Sequence, residues 1–168
     1  MTFFDSRWVD MPEHVKMAPA GALAGGFRAH GVAAGLKPSG GLDVGLLVSS
    51  APETTSAARF TASGVLAPPV VVCQKRCDLE HLRAVAVNSG NANAATGGRG
   101  IDAAAKMQGA GAMCAGVAEN QVAIASTGVI GVQLDADKVV KGLLQARGGL
   151  SEHYGSFGEA IRTTVAFP

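Results

Sequence analysis

The sequence predicts a mixed α/β layered domain. Three observations carry that expectation. Strand-like segments come first, strands and helices alternate after them, and the core has to be packed from small aliphatic side chains. Of the 168 residues 48% are hydrophobic but only 5% are aromatic, and 23 are glycine, so the layers must approach closely. At this length residues 1–168 are expected to form a single domain.

Met1 to Leu23 has little periodicity and contains Pro12 and Pro19, which predicts an irregular lead-in. From Phe27 the pattern turns strand-like. FRAHGVAAGLK, a Pro38-Ser39-Gly40-Gly41 turn and LDVGLLVSS read as a hairpin. Ala57 to Thr61 and Val70 to Cys73 read as further strands, with Pro68-Pro69 between them. Leu82 to Val87 is an apolar strand that stops at Asn88-Ser89-Gly90. Ile101 to Ala115 reads as an Ala-rich helix with Asp102 in its first turn, where an acid complements the helix dipole. Its Gly109 and Gly111 weaken it unless they let another element pack closely. Val122 to Ala125 is a short buried strand. Leu134 to Arg147 is the clearest helix: Asp135 and Asp137 open it, Val139, Val140, Leu143 and Leu144 form its apolar stripe, and Gly148-Gly149 stop it. A last helix is expected over Phe157 to Thr163.

Composition excludes several functions. Fourteen basic and 13 acidic residues give a formal net charge of +1, so nucleic-acid binding has no electrostatic support. No apolar run reaches the roughly 18 residues of a membrane span. Asp5, Asp10 and Glu13 interrupt any signal-peptide core. Three cysteines do not make a disulfide framework, and the expectation is a cytoplasmic protein. Cys73 and Cys77 have no second Cys/His pair at ligand spacing, so no metal site is expected. His14, His30, His81 and His153 are dispersed, and Asp43 and Glu53 read most simply as solvated.

Two segments could carry chemistry. In QVAIASTGVIG a strand ends at Ser126-Thr127-Gly128. Glycine lets the chain turn and a ligand approach its N–H, and Thr127 puts a hydroxyl beside it. The pair reads either as two donors for an oxyanion or as a bare strand end with a tight turn. The second segment, NSGNANAATGGRG, joins a strand to a helix. Asn88, Asn91 and Asn93 bring amide donors and acceptors, and the helix N-terminus behind them favours an anion. A structural loop fits the same residues equally well. There is no phosphate loop, no dinucleotide fingerprint, no GxSxG elbow and no HExxH. The chain therefore offers a candidate oxyanion site but no nucleophile.

Taken together these segments resemble the ornithine acetyltransferase family, the glutamate N-acetyltransferases of arginine biosynthesis. The resemblance runs through GFRAHGVAAGLKPSGGLDVGLLVS, FTASGVLAPPVVVC, NSGNANAATG, ASTGVIG with LDADKVVKGL, and AIRTT. It implies a mixed layered sandwich of the N-terminal-nucleophile aminopeptidase/ornithine acetyltransferase type. It also implies a precursor that cuts itself before a threonine. That threonine, first residue of the second (β) chain, is the nucleophile, with its own α-amine as base. It takes an acetyl group from N-acetylornithine and passes it to glutamate. By the same resemblance Thr127 and Gly128 form the oxyanion hole and Thr163 contacts substrate. No cofactor is implied, and acetyl-CoA stays open as an acetyl donor. This chain would be the α chain, paired with its β chain and assembled as α2β2. Two departures stand out. The family's Thr-Thr-Asp is here Thr163-Thr164-Val165, and Ala95 replaces a frequent cysteine, which reads as a packing change. The valine leaves room for a paralogue acting on another N-acylated amino acid. An amidohydrolase or aminopeptidase on the same scaffold and a non-catalytic binding relic are the other readings.

Overall fold

The computed structural model describes residues 12–14 and 21–163. Four strands form one sheet in the order β1-β2-β3-β4. β1 (Phe27–Val32) and β2 (Val44–Ser49) are the expected hairpin, antiparallel from Phe27 opposite Ser49 to Val32 opposite Val44. β3 (Ala84–Asn88) runs antiparallel to β2, and β4 (Val122–Ser126) runs parallel to β3. A parallel neighbour needs a crossover, and α2 (Gly97–Ala115) supplies it.

Side chains alternate across a strand, so Val44 and Leu46, Ala84 and Ala86, and Val122 and Ile124 share one face, all of them buried. α1 (Pro68–Arg76), α2 and α3 (Ala136–Gly148) cover it, and Met107, Val139 and Leu143 fill the space between. The close approach expected of Gly111 is present. A Cβ there would lie 3.0 Å from Val122 Cγ1 and 3.1 Å from Ala86 Cβ. On the other face α4 (Gly155–Ala160) lies over β1 and β2, with Phe157 against Gly45. Leu47 and Val85 remain half-buried there. The architecture is therefore mixed α/β in layers.

Several elements differ from expectation. Val70 to Cys73 is not a strand but part of α1. Pro68 and Pro69 occupy the first helical turn, where a missing N–H costs nothing and a fixed φ suits the helix. Burial of Val72 and Cys73 then overrides the β-branched run. Ala57 to Thr61 carries Phe60 half-buried but finds no ladder partner and is not a strand. α2 starts four residues early, at Gly97, so Asp102 falls beyond the first turn, which holds no acid. α3 is capped as expected: the Asp135 side chain accepts from the Lys138 N–H at 3.1 Å, and Asp137 lies in the first turn. α4 stops at Ala160, short of Thr163. Of the expected lead-in, 1–11 and 15–20 lie outside the described residues. The described part, 12–14 and 21–23, holds only turns and one isolated bridge, Ala22 to His153, with the Leu23 N–H donating to Glu152 O at 2.9 Å, and is irregular as expected.

Candidate active site

The parallel strands β3 and β4 end side by side, with Asn88 opposite Ser126. The pairing carries on briefly beyond them. The Thr127 N–H donates to Asn88 O at 3.0 Å, and Asn91 bridges to Val129. Between these two points the chain must turn at Gly128, whose φ is +131°. A Cβ there would lie 2.4 Å from the Gly90 carbonyl carbon and 2.6 Å from Asn91 N. Only glycine meets both demands. Thr127 is exposed. Among the described residues, nothing accepts a hydrogen bond from the Gly128 N–H and nothing pairs with the Thr127 hydroxyl. A strand end thus leaves one hydroxyl and one backbone N–H unpaired on adjacent exposed residues.

These donors open onto a cleft of about 740 Å³ lined by Lys37, Pro38, Ser39, Gly90, Thr127, Gly128, Val129 and Thr163. Thr127, Gly128 and Thr163, singled out from separate parts of the sequence, therefore lie on one surface. Thr163 is brought there by the segment after α4. The Ser89 hydroxyl, buried just past β3, donates to Ala160 O at 2.5 Å and ties that segment to the strand end.

The asparagine loop is placed beside the cleft, but its amides are engaged inside the protein. Asn88 donates to Asn91 O at 2.8 Å and accepts from the Ser126 hydroxyl at 2.6 Å. Asn93 donates to Gly100 O at 2.9 Å and accepts from the Thr96 hydroxyl at 2.8 Å. Asn91 donates to Val132 O at 3.1 Å and accepts from the Asn93 N–H at 2.8 Å. Asn88 and Asn93 are buried. Their geometry holds loop to loop. The α2 N-terminus does not line the cleft. Ala95 is exposed with φ +57°, so the alanine fills no packed core position and the packing reading is corrected.

The third wall was not anticipated. Asp43 is not solvated but fully buried. Its carboxylate accepts from the N–H groups of Ala34 at 2.6 Å, Leu36 at 2.6 Å and Lys37 at 3.0 Å. Three donors replace the water it gives up, and the loop they belong to forms the wall around Lys37, Pro38 and Ser39. The only sequence signal was a long hairpin connection whose inward N–H groups needed an acceptor.

The remaining candidates lie elsewhere. His30 pairs with Ser156 at 3.2 Å, His81 sits against Asp78, His153 accepts from the Gly155 N–H, and none lines the cleft. Glu53 is exposed. Cys73 and Cys77 face β4: the Ile124 N–H donates to Cys73 Sγ at 3.2 Å, and Cys77 donates to Val122 O at 3.2 Å. The Cys77 thiol, opposed by burial, lowers Cys73 to about 7, while Cys77 itself is pushed up by Cys73 and by burial. Among the described residues no three of His, Cys, Asp or Glu gather as metal ligands, and no helix is long and apolar enough to cross a membrane. Thr164 and Val165 lie outside the described residues.

A family model described as the ArgJ family matches residues 28–168. The arginine biosynthesis bifunctional protein ArgJ of Streptomyces coelicolor is 40% identical over 142 residues, 84% of this chain and 37% of that protein. The protein of the same name from Prochlorococcus marinus is 42% identical over 167 residues, 98% of this chain and 39% of that protein. The chain thus spans under two fifths of the curated relatives' length. Among solved structures, an ornithine acetyltransferase from Mycobacterium tuberculosis, complexed with ornithine, superposes with a TM-score of 0.84 at 35% identity, over 90% of this chain and 83% of that chain. The arginine biosynthesis bifunctional protein ArgJ of Bacillus halodurans superposes with a TM-score of 0.78 at 38% identity, over 88% of this chain and 78% of that chain.

Proposed function

The chain belongs to the ArgJ family, and on that premise we propose that it is the α chain of an acetyltransferase that moves an acetyl group from N-acetylornithine to glutamate. The observation that carries this reading is the cleft itself. It gathers Thr127, Gly128 and Thr163 and leaves a hydroxyl and an N–H unpaired on its surface.

Acyl transfer needs donors where negative charge develops on the carbonyl oxygen. In the proposed reaction the threonine that begins the β chain attacks the acetyl carbonyl. The Thr127 hydroxyl and the Gly128 N–H hold the tetrahedral oxyanion, and collapse releases ornithine and leaves an acetyl-threonine. The α-amine of glutamate then attacks that ester and carries the acetyl group away. Thr163, on the same cleft, contacts the substrate. No lining residue among those described is a carboxylate, histidine or cysteine, which is in keeping with a nucleophile and base contributed by the other chain.

A cut precursor has independent support. This chain covers 83% of a solved ornithine acetyltransferase chain but only 37% of a curated relative, the ratio expected if the polypeptide of the relatives is divided in two. Pairing with the β chain, assembly as α2β2, a cytoplasmic location and the use of acetyl-CoA belong to the same proposal. The test is the full-length protein incubated with N-acetylornithine and glutamate. Ornithine and N-acetylglutamate should form in equal amounts, and with N-acetylornithine alone one acetyl group should be trapped on the β chain. Failure to release ornithine would overturn the reading. Release of acetate without N-acetylglutamate would replace it with a hydrolase.

A further inference from the structure

Lys37 is the one charged side chain among the described residues lining the cleft, and three features fix it there. Its backbone belongs to the loop held by buried Asp43, which accepts the Lys37 N–H at 3.0 Å. Its stem runs past Gly90, where φ is +92° and a Cβ would lie 3.1 Å from Lys37 Cγ. Its head donates to Leu42 O at 2.6 Å. An ammonium has three donors, so two remain. No described carboxylate forms an ion pair with it. Asp43 is the nearest acid in sequence, but its oxygens are taken up by three backbone N–H groups. Lys37 is thus packed along its stem, anchored through Leu42 O and left with unpaired donors on the cleft that Thr127 and Gly128 also line.

We propose that Lys37 binds the α-carboxylate of the acylated amino acid. The proposal rests on the transfer reading above. The donor and acceptor of that reaction carry opposite charges at the ends of their side chains. What they share is an α-carboxylate next to the nitrogen that loses or gains the acetyl group. A cation fixed on the cleft that carries the oxyanion donors recognises that shared group and ignores the difference, so one cleft can take both substrates in turn.

The test uses full-length protein, N-acetylornithine and its α-carboxamide. Wild type should favour the acid by about 10–100-fold in kcat/KM, the range of a charge-assisted hydrogen bond. Lys37→Met should abolish the preference by raising KM for the acid by a similar factor, with kcat nearly unchanged and the carboxamide unaffected. Lys37→Arg should restore part of the preference. A Lys37→Met enzyme that still prefers the acid overturns the proposal. So does one whose kcat falls at constant KM, which would place Lys37 on transition-state charge. Calorimetric titration with both compounds separates this outcome from failure of the transfer reading. If wild type binds the acid without transferring acetyl and Lys37→Met loses that binding, the carboxylate site stands and the transferase reading falls. Equal binding by both proteins overturns the site, and no binding of either compound by wild type overturns both.

Discussion

The loops that leave β3 and β4 lie against each other, yet they use their polar groups in opposite ways. The loop after β3 is rich in amides, and its three asparagines are engaged with backbone and hydroxyl groups of the protein. The corner after β4 has few polar groups, and it leaves the Thr127 hydroxyl and Gly128 N–H unpaired among the described residues. Density of polar side chains therefore marks the scaffold, and the unsatisfied donors are where the proposed chemistry sits. The first loop is costly to disturb because its groups are buried and paired. On the proposed reading the second is left open because its donors serve charge that exists only during reaction.

Gly128→Ala removes this contrast and has the largest expected effect. The new Cβ would collide with the Gly90 carbonyl carbon at 2.4 Å, pushing the donor pair off its position and the two loops apart. Transfer should fall by about 10³-fold or more, and the melting temperature should drop with it. Retained activity would mean that the corner tolerates displacement and that its geometry is not what matters.

Asn93→Ala tests the scaffold side alone. It strands the Gly100 carbonyl and the Thr96 hydroxyl, both of which Asn93 engages while fully buried. It also forces alanine into φ +45°, which asparagine tolerates better. Unfolding stability should fall by about 2–4 kcal/mol, measured by denaturant titration, while kcat of the folded protein stays near wild type. A large kcat loss at normal stability would move Asn93 from scaffold to site.

The thiol pair at the other end of β4 sharpens the comparison further, because it should affect stability without affecting the reaction. Cys73 is lowered to about 7 from 9.0 in the folded protein. A lowered value means that the unfolded chain holds more protons between these pH values, so stability rises as pH goes from 7 to 9. Cys77 is raised, so its contribution reverses the trend above pH 9. The expected gain is about 1–2 kcal/mol, removed by Cys73→Ser. A kcat profile that followed the same thiol titration would contradict the separation of core from site.

Local punctuation made part of this legible in the sequence. The hairpin, β4 and the capped α3 follow from period, turn residues and Asp135. The Ser126-Thr127-Gly128 corner was visible because a hydroxyl and a glycine at a strand end are a local signal. Thr163 was not visible in that way. Its place in the cleft depends on the Ser89 contact to Ala160, 71 residues apart, and only family resemblance pointed to it. Asp43 and Lys37 were missed for a related reason. A charged residue in a loop looks solvated until the fold turns three N–H groups toward it, as at Asp43, or packs its stem and anchors its head on a carbonyl, as at Lys37. Val70 to Cys73 was misread because its β-branched run outweighed two prolines that suit a helix start, and the packing that decided the matter comes from α2 and β4.

The account stands most directly on Thr127. In full-length Thr127→Ala, steady-state kinetics with N-acetylornithine and glutamate should show kcat lowered by about 10²–10³, KM nearly unchanged and a wild-type melting temperature, because the exposed hydroxyl has no described partner in the resting protein. Thr127→Ser should recover most of the rate. A variant with normal kcat and a raised KM would make Thr127 a ground-state contact and contradict the claim that the unpaired donors serve the transition state.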